Sequence, residues 1–133
     1  MRNFAFVIAT AAALVVGPAL QARERLTPEQ KLAELLVGRE AGTAVDCINL
    51  SETSDVQVID KTAVVYGSGR VIYVNRPRNP DDLNSDDILV TKLHIAQLCK
   101  LDVVQLRGRT SHTFSGFVTL ENFVPYHRVA RKE

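Results

Sequence analysis

Two kinds of hydrophobic periodicity run along the chain, and they fall in different places. Leu32, Leu35 and Leu36 share one face at helical spacing, with Lys31 and Glu34 elsewhere. The preceding Thr27-Pro28-Glu29-Gln30 puts threonine at an N-cap, proline at the first helical position and glutamine where a capping box closes. Gly38 is the stop, and Gly42 marks a chain already out of the helix. The pattern predicts one amphipathic helix over about residues 28–37, with its leucines packed on a sheet.

Beyond the helix the apolar runs are short and rich in β-branched residues. Lys61–Asn75, KTAVVYGSGRVIYVN, reads as a β-hairpin around Gly67-Ser68-Gly69. If Tyr66 opposes Val71, then Val64, Tyr66, Val71 and Tyr73 share one face and Val65, Ile72 and Val74 the other. A strand pair apolar on both faces must be covered twice, which predicts this hairpin at the centre of the fold. Val45–Leu50 reads as a first strand carrying Cys47, and Val56–Asp60 as a second. Ile88–Thr91 and Leu101–Leu106 follow as strands, and Gly116–Val124 as a last extended segment ended by Pro125. His94–Leu98 reads as a helical turn that carries Cys99 toward the first strand.

Two polar stretches separate these runs: Arg76–Asp87, an irregular exposed loop, and Arg107–Ser115, a basic one. The tail Tyr126–Glu133 reads as frayed. Strands joined by turns rather than helical crossovers predict a mainly antiparallel β domain. The expected form is a barrel-like or small sandwich domain with one N-terminal helix; strand order is not legible.

The N-terminus has the three parts of a secretory signal. Arg2 is the positive region, Phe4 to Val16 the apolar run, and Gly17-Pro18 the break before Ala19-Leu20-Gln21-Ala22. The run is shorter than the roughly 20 residues a bilayer-spanning helix needs. The expectation is therefore a signal peptide over residues 1–22, cut after Ala22, rather than an uncleaved anchor. Residues 23–133 then form one exported β-rich domain with no stable membrane span.

Export changes the reading of charge and of cysteine. Without Arg2 the chain balances 15 basic against 15 acidic side chains, whereas nucleic-acid binders carry a basic excess or stripe. Nucleic acid is not an expected partner. Cys47 and Cys99 are the two cysteines, and in an oxidising compartment they are expected to pair. The closed loop would span about 53 residues, worth on the order of 4 kcal/mol in the loop-entropy model.

Candidate chemistry is thin. Asp81, Asp82, Asp86 and Asp87 offer oxygen ligands for a hard cation, but without EF-hand spacing, so a solvated turn is the stronger reading. Cys47, His94 and Cys99, with His112 or His127, lack the paired close spacing of structural zinc. Ser111-His112 are neighbours in sequence, which does not make a nucleophile and its base, and no G-x-S-x-G elbow occurs. Gly67–Arg70 lacks the lysine and helix of a phosphate loop. Arginines 70, 76, 78, 107 and 109 offer guanidinium groups for a carboxylate or phosphate, against simple surface pairing. No catalytic residue, metal or cofactor is predicted. Arg76, Arg78, Asp86 and Asp87 are kept as candidate ligand contacts.

The segments VDCINL, YVNRPR, DDILVT, QLC and GFVTLENFVPY, spread over Gly42 to Tyr126, resemble a family of small exported alphaproteobacterial proteins. That resemblance implies a bacterial periplasmic or secreted location, where the Asn49-Leu50-Ser51 sequon has no role. It implies no activity and no site residues. The expected function is a non-enzymatic domain that binds a partner protein or envelope component. The alternative is a small periplasmic hydrolase or other enzyme built on Asp86, Asp87, His112 or His127. The two are told apart by whether carboxylate and imidazole converge in a pocket or an apolar patch lies open.

Overall fold

The computed structural model describes residues 25–130. The predicted leader and its cut, and the last three residues of the tail, lie outside the described residues.

The helix forms where the cap residues place it. Thr27 Oγ1 accepts from the Gln30 backbone N–H at 3.2 Å, and Gln30 Oε1 accepts from the Thr27 N–H at 2.8 Å. This capping box starts α1 at Pro28–Leu35, slightly shorter than expected. Gly38, at φ 73°, then turns the chain into a short strand β1, Arg39–Ala41, which the sequence pattern did not announce.

The remaining strands are β2 (Cys47–Asn49), β3 (Val56–Ile59), β4 (Ala63–Tyr66), β5 (Val71–Asn75), β6 (Asp87–Val90), β7 (Gln97–Cys99), β8 (Val103–Gly108), β9 (Phe114–Thr119) and β10 (Phe123–Arg128). Every pairing is antiparallel. They form a five-stranded sheet in the order β1-β10-β5-β4-β3, a two-stranded ribbon β2-β7 and a three-stranded sheet β6-β8-β9. The sheets stack as a sandwich and do not close into a barrel.

The hairpin β4–β5 lies inside the large sheet, and all four residues of β4 are buried. On one side Val64 and Tyr66 join Phe123, Val104, Leu106 and Val118 in the core between the sheets. On the other, Ala63, Val65, Ile72 and Val74 meet Leu32 of α1. The chain is thus three layers deep: helix, five-stranded sheet, then ribbon and small sheet side by side. Tyr66 stands opposite Tyr73, not Val71. A slip of two residues leaves every side chain on its predicted face, because the side-chain period is also two. Gly67, at φ 92° and with the Val71 carbonyl 3.2 Å from where a Cβ would stand, makes the longer turn possible.

Four expectations need correction. Residues 94–96 bend without forming a helical turn, and Gln97–Cys99 is a strand, paired Cys47 to Cys99 and Ile48 to Leu98. The stretch 76–87 is not simply exposed. Pro77 and Leu83 are buried, Pro80–Asp82 makes a 3₁₀ turn, and the Leu83 carbonyl accepts from the Lys61 N–H at 3.1 Å. The last extended segment is two strands, because the chain turns a corner at residues 120–122 and changes sheets.

Finally, Pro125 does not end the chain's structure. It sits within β10, an inner strand that continues to Arg128, so residues 126–128 are not frayed. Proline removes a ladder donor, but here its N faces the point where β1 has already ended. Its carbonyl is used, accepting from the Gly42 N–H at 2.7 Å. Gly42 has no side chain to collide with the ring, whose Cγ would lie 3.2 Å from an added Cβ.

Candidate functional site

The predicted contact residues divide into separate places. Arg76 makes a two-point bond with Glu29, Nη1 to Oε1 at 2.9 Å and Nη2 to Oε2 at 3.2 Å. Its guanidinium holds the Glu29 carboxyl below the usual range, and Glu29 in turn raises the pKa of Arg76. Arg78 pairs with Glu121. Both pairs are exposed, and such pairs add little stability. Both arginines therefore already have carboxylate partners, one on the helix and one at the strand corner.

Asp86 and Asp87 lie at the start of β6, beside Asp60, Asp81 and Asp82 around an open hollow. Their neighbours are local: Ser115 Oγ donates to Asp87 Oδ2 at 2.7 Å, Asn79 Nδ2 to Asp82 Oδ2 at 2.7 Å, and the Ser85 N–H to Asp60 Oδ1 at 2.5 Å. Among the described residues no three His, Cys, Asp or Glu side chains are placed to hold a metal ion. His112 sits in the β8–β9 turn at φ 55° and makes no hydrogen bond through its ring to Asp86 or Asp87. Ser111 Oγ pairs with Thr113 Oγ1 at 2.8 Å, not with His112. His127 belongs to β10 in the other large layer, opposite Glu40.

Cys47 and Cys99 face each other across the β2–β7 ribbon. Their sulfurs are 2.06 Å apart, at disulfide-bonding distance. Ile48 and Leu98, the next pair along, point the other way into the core. The cysteine pair therefore lies on the outside of the ribbon.

Two surfaces were missed by the sequence reading. The first is the outer face of the three-stranded sheet. Val104, Leu106 and Val118 point inward, so Val103, Gln105 and Arg107 of β8 and Phe117 of β9 point out. Phe114 joins them because a bulge at Leu106/Arg107 places it opposite Arg107, although it is three residues from Phe117. Phe114 is 58% exposed, Val103 52% and Phe117 50%. Arg107 stands among them, bonded to the His112 carbonyl at 3.3 Å and to Gln105 Oε1 at 3.5 Å, with no ion pair among the described residues. The bulge breaks the period-two signal that would have flagged this face.

The second is a cleft of about 690 Å³ between the end of α1 and the helix-facing side of the large sheet. Arg39 and Arg128, directly opposed across β1 and β10, stand on its rim. Arg39 spans Gly69 O at 2.9 Å, Arg70 O at 3.2 Å and Tyr126 O at 3.5 Å. Burial, and then the charge of Arg128, push the Arg39 pKa down. With residue 126 onward read as a loose tail, nothing pointed to Arg128.

No helix among the described residues is long and apolar enough to cross a membrane. Comparison with family models, curated proteins and solved structures finds no match to this chain.

Proposed function

We propose that this chain is an exported bacterial domain, periplasmic or secreted, that acts without catalysis by docking an envelope partner protein on the outer face of the β6-β8-β9 sheet. The observation that carries the reading is the open apolar face of Phe114, Phe117 and Val103 around Arg107. A sheet face on a domain with a full core elsewhere has no internal reason to be apolar and exposed.

The charge on that face selects among partners. Arg107 has no carboxylate of its own among the described residues, and Arg109 lies on the adjoining turn. Two copies meeting face to face would bring Arg107 toward Arg107, so a partner with an apolar surface bordered by acids fits better. Export is supported by the leader-like N-terminus and by two sulfurs at bonding distance, since such pairs persist in oxidising compartments. The resemblance to small exported alphaproteobacterial proteins agrees with it.

Photocrosslinking from position 117 in the native host tests the docking claim. One discrete protein adduct is expected, with an acidic border on that partner's contact surface, and it should be lost in the Arg107→Glu chain. No adduct, or an adduct indifferent to Arg107→Glu, would refute it.

A further inference from the structure

We propose that the cleft between the end of α1 and the five-stranded sheet binds an oxyanion carried on an apolar body, with Arg128 and Arg39 as its charge partners. Like charges directly opposite each other in a sheet are destabilising, yet Arg39 and Arg128 occupy opposed positions. Among the described residues neither forms an ion pair. A bound oxyanion between them would turn that repulsion into two attractions.

The geometry gives the anion somewhere to sit. Arg39 is held in place by three backbone carbonyls, which leaves two of its five N–H donors unused. Being held, it loses little freedom on meeting a ligand. Below the rim the lining is mixed: Leu35, Val65 and Ile72 give it an apolar side, and Gln57 and Ser68 a polar one. A volume of about 690 Å³ lies within the range of small-molecule sites, which combine an apolar lining with few charged groups. Glu34 and the carbonyl end of α1 also border the cleft and oppose an anion. Two guanidinium charges outweigh one carboxylate and a partial dipole, so a singly charged head fits better than a highly charged one.

This cleft faces the helix layer, whereas the proposed docking face is on the outermost sheet. Failure of either proposal leaves the other standing.

Calorimetric titration of the purified protein with octanoate, octyl phosphate and inorganic phosphate tests the inference. Either octyl ligand is expected to bind, and their relative affinity tells a carboxylate head from a phosphate one. Arg128→Gln, at an exposed position, should leave the melting temperature of the free protein no lower, since it removes a like-charge opposition, and weaken binding by about tenfold or more. No heat from either octyl ligand at millimolar concentration would overturn the proposal. So would unchanged affinity in Arg128→Gln, or inorganic phosphate binding as tightly as octyl phosphate.

Discussion

The side chain of Asn75 pairs with the backbone of Glu121 as a strand would. Its Nδ2 donates to the Glu121 carbonyl at 2.6 Å, and its Oδ1 accepts from the Glu121 N–H at 3.1 Å. Asn75 is fully buried, and the residues it holds form the corner where the chain leaves β9 for β10. Asn79 does the same for β9, donating to the Phe117 carbonyl at 2.6 Å and accepting from the Thr119 N–H at 3.0 Å. One amide thus closes the corner, and the other covers an otherwise open sheet edge.

Replacing Asn75 with alanine strips two partly buried backbone groups of their partner. At roughly 1–3 kcal/mol for each unsatisfied group, Asn75→Ala should cost about 3 kcal/mol in urea unfolding. Asn75→Asp keeps the acceptor but loses the donor, and should cost a comparable amount. A loss below about 0.5 kcal/mol in Asn75→Ala would mean that the corner does not depend on this amide.

Leu32 is the one residue of α1 that is fully buried, against Ile59, Val65 and Ile72. Leu32→Ala should destabilise the domain by roughly 2–5 kcal/mol, the range for cavity-forming core substitutions. Unfolding should remain a single transition, because the helix covers one face of the central sheet. A separate early transition for the helix would contradict this packing.

Tyr66 lies edge-on to Phe123 with ring centroids 5.8 Å apart, and burial pushes its phenol pKa well up. Ionisation is thus easier in the unfolded chain, where a phenol titrates near pH 10. The contribution is fully present below that pH and is lost as pH rises past it. Urea midpoints at about pH 8 and pH 11 should therefore fall further for the native sequence than for Tyr66→Phe. Parallel losses in the two proteins would exclude a role for this phenol.

The cysteine pair closes the chain over a sequence separation of 52. By the loop-entropy estimate, reduction should cost on the order of 4 kcal/mol, with the change appearing in the urea midpoint. Cys47→Ala together with Cys99→Ala should reproduce the reduced value. Equal midpoints with and without reductant, in material shown to be oxidised, would remove the bridge from the list of stabilising features.

Much of this fold is legible where local chemistry and packing agree. Thr27 to Gln30 fixes the helix start, and the doubly apolar hairpin announces its place inside a sheet. Legibility fails where long-range contacts overrule local signals. Pro125 reads as a stop, yet it is tolerated because Gly42 lies beside it just past the end of β1. Leu83 is a single apolar residue in a polar stretch, and only the core that receives it reveals its role. The site residues fared worse for a similar reason. Arg76 and Arg78 look available in sequence, but Glu29 and Glu121 reach them in the fold. Arg39 and Arg128 become conspicuous only when strand pairing shows that they stand opposite each other.

Intact-mass analysis of the protein isolated from its native host, with and without an alkylating agent, bears most directly on the reading of an exported domain closed by one bridge. The expected mass is that of a chain beginning at Arg23, lighter by two hydrogens than its reduced form and inert to alkylation. A chain retaining residues 1–22, with both Cys47 and Cys99 alkylated, would contradict that reading.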